Sequence, residues 1–127
     1  METLLLKAFF GHLVGDFFLQ SKAMANNKYR PGWKGSFWCS IHVLIYTSSM
    51  AIFVGDCSPV FLLGVSLPHW IVDRLSLAHK WMSLLGRGDL IGSPNPAKAS
   101  FGAIIYVVID QTIHFGCLYL LFNLIHP

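Results

Sequence analysis

Charge is scarce in this sequence. Only 12% of the residues are Asp, Glu, Lys or Arg, while 54% are hydrophobic and the mean hydropathy is +0.57. An ordinary soluble domain carries roughly a quarter of its residues as charges, so the shortage excludes that class and leaves an integral membrane protein. Cysteine is also sparse. Cys39, Cys57 and Cys117 form no CxxC pair and lie far apart, which speaks against a disulfide scaffold or a thiolate metal site and predicts free buried thiols. The first apolar stretch is expected to remain in the mature protein and not to act as a cleaved signal peptide, because it holds Gly11, His12, Gly15 and Asp16 and no small-residue cleavage pattern precedes Lys22. Length sets the last limit. A chain of 127 residues is expected to form a single integral membrane domain, residues 1–127, with about four spans of roughly 20 residues.

What is present fits that frame. Apolar stretches run over about 4–20, 36–54, 60–79 and 101–125, and the predicted fold is all-α, a polytopic membrane protein with four transmembrane helices in an antiparallel bundle. Between the first two stretches, Lys22, Lys28, Arg30 and Lys34 occur without an acid; between the last two, Lys80, Arg87 and Lys98 face a single Asp89 among Gly86, Gly88, Gly92, Pro94 and Pro96. The positive-inside rule places both basic loops in the cytoplasm and both termini outside. The net charge of +3 is thereby explained by topology and not by nucleic acid, and the expected partner is the lipid bilayer with its anionic headgroups. Trp33, Trp38, Trp70, Trp81 and Tyr29 sit mostly near span ends, where amphipathic rings favour the interface. Gly11-xxx-Gly15 permits close helix packing, and Pro68 is expected to bend its helix just before His69.

Each stretch also carries polar residues one helical turn apart: His12 and Asp16, His42 and Tyr46, His69 and Asp73, Asp110 and His114. Residues four apart share a helix face. The order HxxxD in the first and third stretches reverses to DxxxH in the fourth, which runs the other way. Antiparallel packing would therefore place Asp16, Asp73 and Asp110 in one tier and His12, His69 and His114 in another, deeper one, with His42 facing the carboxylates or the space between. No buried cation is expected to compensate them, so the group predicts a divalent transition metal: zinc first, with iron or manganese as alternatives. The candidate ligands are His12, Asp16, His42, His69, Asp73, Asp110 and His114. Seven exceed the need of one tetrahedral ion, so one ion or two bridged by an aspartate are both open. Tyr46 and Gln111 are expected to orient ligands from behind, Arg74 to reach the headgroups, and His79 and His126 to face solvent. A metal-free His/Asp proton relay and unrelated packing polars are the competing readings.

The strings His12-Leu-Val-Gly-Asp16-Phe-Phe-Leu-Gln20, Ile41-His42-Val-Leu-Ile-Tyr46, His69-Trp-Ile-Val-Asp73-Arg74 and Asp110-Gln111-Thr-Ile-His114 resemble the signature of a family of small multi-pass bacterial and phage membrane proteins catalogued as a domain of unknown function. The resemblance covers essentially the whole chain and implies a multi-pass protein of the bacterial inner (cytoplasmic) membrane, with no activity attached. More loosely, the chain resembles inner-membrane proteins described as metal-dependent hydrolases, which implies hydrolysis. The expected function is a membrane-embedded metal-dependent hydrolase acting from the cytoplasmic side, with metal-bound water as its nucleophile. The alternatives are a homo-oligomeric transporter of a metal ion or protons, and a non-catalytic membrane protein with a structural metal.

Overall fold

The computed structural model describes residues 2–125, and every regular element among them is helical. His126, expected at a solvent-facing span end, lies outside the described residues. The α1 helix (Glu2–Leu13) continues into a π turn at Val14–Phe18, and α2 (Lys22–Asn27) follows. Then come α3 (Trp33–Val54), α4 (Pro59–Arg74), α5 (Leu77–Leu84), a 3-10 turn at Gly88–Leu90 and α6 (Pro96–Ile125). The α3–α4 turn shows why the chain reverses there. Gly55 adopts φ 81 and closes α3, the Asp56 carboxylate accepts from Ser58 N, and Ser58 caps α4 with Pro59 in its first turn.

The α1, α3, α4 and α6 helices form a ring in that order. Neighbours run antiparallel, as the contacts reveal. Gly11 meets Met50 and Phe53 while Gly15 meets Tyr46 and Ser49; Ser36 bonds Arg74 while Ser40 bonds Trp70; Phe9 stacks on Phe115 while His12 bonds Gln111. The two glycines of Gly11-xxx-Gly15 are the packing face of α1. A Cβ on Gly15 would stand 2.9 Å from Tyr46 Cα, and Ser49 Oγ donates to Gly11 O at 2.8 Å across the same seam.

One end of the ring, beside the α3–α4 turn, is closed by Met50, Val54, Phe61, Val65, Leu118 and Phe122. Outside, the helices present Leu44, Ile52, Leu63, Leu67, Ile104 and Leu124, each more than half exposed. An apolar exterior of this extent is what a lipid solvent requires and water does not tolerate.

Two helices, Trp33–Val54 and Pro96–Ile125, are long and apolar enough to cross a membrane; α4 and α5 make a third only if taken together as one span bent by 51°. The first and third expected spans are not single regular helices. The first changes from α to π geometry after Leu13 but stays helical, and residues 2–18 reach about 25 Å at 1.5 Å per residue. The third does not run unbroken to residue 79. Helix α4 continues through Pro68, and the change of direction falls at Leu75 and Ser76, where Ser76 takes φ 49. A proline still leaves the α4 backbone helical on both sides of it; a left-handed residue cannot.

Candidate metal centre

The π turn delivers Asp16. Inserting an i→i+5 turn, seen in Leu19 N donating to Val14 O at 2.9 Å, rotates the carboxylate relative to the regular helix before it, and such turns recur at functional sites. His42 comes from the middle of α3, His69 and Asp73 from α4, and Asp110 and His114 from α6. All but Asp110 are buried, His42 completely.

Four atoms converge. His42 Nε2 lies 3.1 Å from Asp16 Oδ1, 3.1 Å from Asp73 Oδ2 and 3.1 Å from His69 Nε2. His69 Nε2 in turn lies 3.3 Å from Asp73 Oδ2 and 3.6 Å from Asp16 Oδ1. These are the same four atoms each time, so five of the six edges of one small tetrahedron are known. Metal bonds of about 2.0–2.2 Å to nitrogen and oxygen would give tetrahedral edges of roughly 3.3–3.6 Å. The donor set fits a metal ion.

A second group joins it. Asp16, Asp110 and His114 also offer ligand atoms within 4.8 Å of one another, and Asp16 belongs to both groups. The His114 ring is fixed in a useful tautomer: its Nδ1 donates to Asp110 O at 2.9 Å, so Nε2 carries the lone pair. That Nε2 is buried, has no hydrogen-bond partner among the described residues, and stands 3.7 Å from Asp73 Oδ1. An unpaired buried lone pair aimed at a carboxylate is unfavourable without a cation or proton between them. Carboxylates and imidazoles thus meet across the two expected tiers rather than staying apart, because the later residue of each i,i+4 pair leans back along its helix toward the earlier one.

His12 belongs to neither group. Its Nε2 donates to Gln111 Oε1 at 2.6 Å and its Nδ1 accepts from the Tyr46 hydroxyl at 3.2 Å, so both ring nitrogens are engaged. Gln111 Nε2 then donates to Asp16 Oδ2 at 3.0 Å and to Asp110 Oδ2 at 3.3 Å. Tyr46, His12 and Gln111 form a chain that ends on two candidate ligands. Tyr46 also stacks on the His69 ring, centroids 3.7 Å apart, and neither His42 Nδ1 nor His69 Nδ1 has a hydrogen-bond partner among the described residues.

One participant had no sequence signal beyond its charge. Lys28, counted above only as a basic loop residue, folds back from the end of α2 and places Nζ 2.7 Å from Asp73 Oδ2, with its side chain 15% exposed. Burial opposes its charge, but the Asp73 and Asp16 carboxylates beside it hold the ammonium above the ordinary lysine range. The expectation of a cluster without a compensating cation is therefore corrected, because a loop lysine needs no helical phase to reach the site. Arg74, half-buried, bonds Ser36 Oγ and Gly32 O at 3.1 Å each and ties α4 to the start of α3. His79 is exposed. Cys39 is buried, but Cys57 is exposed at the α3–α4 turn.

Beside Asp16, Asp110 and Gln111 lies a cavity of 670 Å³ on the side of the basic segments, with Lys28 in its wall. In the opposite direction the closed apolar end, with Phe61 and Phe122 fully buried, blocks the site.

A family model described as a protein of unknown function (DUF3307) matches residues 4–126. No curated protein and no solved structure matches the chain.

Proposed function

The chain belongs to this family of unknown function (DUF3307), and since membership supplies no activity, we propose from the site itself that it is a membrane-embedded, metal-dependent hydrolase worked from the side of the basic loops. The observation that carries the reading is the four-atom set of Asp16, His42, His69 and Asp73, whose edges of 3.1–3.6 Å suit a tetrahedral first-row ion such as zinc, with iron or manganese as alternatives. Asp110 and His114, with Asp16 as bridge, would hold a second ion. Metal in such a site supplies Lewis acidity and an activated water for attack on a phosphoryl or acyl centre.

The protein's own groups have defined tasks in this reading. Gln111 fixes the Asp16 and Asp110 carboxylates, His12 and Tyr46 fix Gln111, and Lys28 offers a positive charge at the mouth for the developing negative charge of a substrate. The apolar plug excludes water from the far side. In this reading the chain is a four-span antiparallel bundle in which α1 with its π turn and the bent α4–α5 pair also cross, with the basic loops cytoplasmic and the termini outside. One-sided access favours an enzyme over a transporter, which needs a path through the plug.

The test is elemental analysis of protein purified in detergent, followed by assay of metal-loaded protein on chromogenic phosphate and carboxylate esters. Stoichiometric transition metal with ester hydrolysis, both lost in His42→Ala, is the expected result. Folded protein that neither retains nor rebinds zinc, iron or manganese overturns the reading. Metal retention without hydrolysis would make the ion a structural staple, and metal flux into vesicles would make the chain a transporter.

A further inference from the structure

The bundle is unevenly sealed. Helix α6 packs on α4 and α5, yet it meets α1 only around Phe9–Phe115 and His12–Gln111, and it does not pack on α2. The 670 Å³ cavity occupies the resulting gap on the basic-loop side. Its two ends differ in chemistry. Inward stand Asp16, Asp110, Gln111 and Lys28, next to the proposed ions; outward stand Phe17, Ala99, Ala103 and Val107. Phe17 and Val107 are 45% and 43% exposed, so the apolar part of the lining reaches the outer surface of the bundle.

This shape selects a ligand. If both groups hold divalent ions, these together with Lys28 outweigh the charge of Asp16, Asp73 and Asp110, and the inner end would attract an anion. Phe17, Ala99, Ala103 and Val107 offer a surface to an acyl chain, while Tyr29, Ser76 and His79, which also line the cavity, offer polar groups to a headgroup. At about 30 Å³ for each water-sized group, the cavity holds roughly 20 non-hydrogen atoms. That is a phosphate headgroup with its glycerol and the first carbons of a chain, not a whole lipid. Gln20 contributes a further buried acceptor, Oε1, with no partner among the described residues and available to a headgroup hydroxyl or ammonium. Lys22, Arg30 and Lys34 on the adjoining segment favour anionic lipid at this level.

We propose that the cavity between the π turn and the first half of α6 is a lateral entry site for a phosphate-bearing lipid, whose headgroup reaches Lys28 and the Asp16–Asp110 wall while its tails stay in the bilayer. The proposal deepens the hydrolase reading, on which it rests for the charge of the inner end, by naming the substrate class.

The experiment uses the full chain in vesicles containing a phosphatidic acid that carries a photoreactive diazirine near the glycerol, with metal content measured on the same samples. Crosslinks should concentrate on Phe17, Ala103 and Val107 over the outer positions Ile52 and Leu124. Ala103→Trp, which fills the cavity, should abolish that preference while metal content stays at the wild-type value. Lys28→Gln should weaken capture about tenfold, as expected for one lost charge-assisted hydrogen bond. Should Ala103→Trp fail to fold, the wild-type crosslink pattern alone decides. Metal-loaded protein labelled evenly around its lipid face overturns the lipid site and leaves the hydrolase reading standing. Labelling abolished by millimolar inorganic phosphate in the absence of any tail preference overturns the lipid source in favour of a soluble phosphate. Labelling of the cavity in protein that holds no metal overturns both the hydrolase reading and the phosphate headgroup, since Lys28 alone does not offset Asp16, Asp73 and Asp110 and the inner end would repel an anion.

Discussion

At the scale of single residues, the site is built from atoms with more than one obligation, and Asp16 has the most. It lies in both candidate ion groups, accepts from Gln111, and stands 3.1 Å from His42. Asp110 lies in only one group. If both groups hold ions, Asp110→Asn should cost the protein one ion and Asp16→Asn both, read as metal per chain by elemental analysis of purified protein. Tyr46 makes a different kind of contribution, since its hydroxyl is the donor to buried His12 Nδ1. Removing it in Tyr46→Phe strands that acceptor, which typically costs about 1–3 kcal/mol. The expected outcome is a lower unfolding temperature in detergent with the metal content of the wild type. Lys28 shows how a loop residue enters a helical site: its reach is set by the fold of 19–32, and no periodicity announces it.

Helices are positioned here by close approach as much as by side-chain fit. In lipid the outside of a bundle is as apolar as its inside, so packing density and hydrogen bonds decide where helices touch. The Gly15 contact with Tyr46 has no room to spare, at 2.9 Å from a Cβ to backbone. Gly15→Val should push α1 off α3, cost about 1–3 kcal/mol as overpacking does, and displace Asp16, which follows it in the π turn. A fall in thermal stability accompanied by loss of metal is the expected result; loss of neither would mean that α1 shifts freely on α3. The break at Leu75 and Ser76 has a comparable effect on the other side, turning α5 back over the base of α6 and leaving the cavity between that base and the π turn.

The whole molecule is polarised along the bundle, with an apolar plug at one end and the polar cluster opening toward the basic segments at the other. Phe122 is fully buried in the plug. In a soluble core Phe→Ala costs about 3–5 kcal/mol; in lipid the transfer part largely cancels and the cavity part remains, so Phe122→Ala should fall below that range while retaining metal. Orientation can be read from Cys57, which is exposed at the α3–α4 turn, whereas Cys39 is fully buried. If the basic loops are cytoplasmic as proposed, a membrane-impermeant maleimide should label Cys57 from the outside of intact cells, and a cysteine placed at Gly92 only after permeabilisation. The opposite pattern reverses the topology.

The sequence by itself determined the apolar character, the helical class, and which polar residues share a face. The 3.6-residue period ties His69 to Asp73 and Asp110 to His114 whatever surrounds them, and the reversal of HxxxD into DxxxH already encodes antiparallel partners for one shared site. It could not determine the rotation of each helix about its own axis, since that depends on which neighbours approach closely. For this reason only the tertiary structure separates His12, with both nitrogens engaged by Tyr46 and Gln111, from His42, with its Nε2 among Asp16, His69 and Asp73. The π turn and the Ser76 break were illegible for a related reason: both are departures from a regular period, fixed by packing against the rest of the chain. Lys28 was illegible because pairing across 45 residues with Asp73 is a property of the folded loop, decided where burial leaves a carboxylate in need of charge.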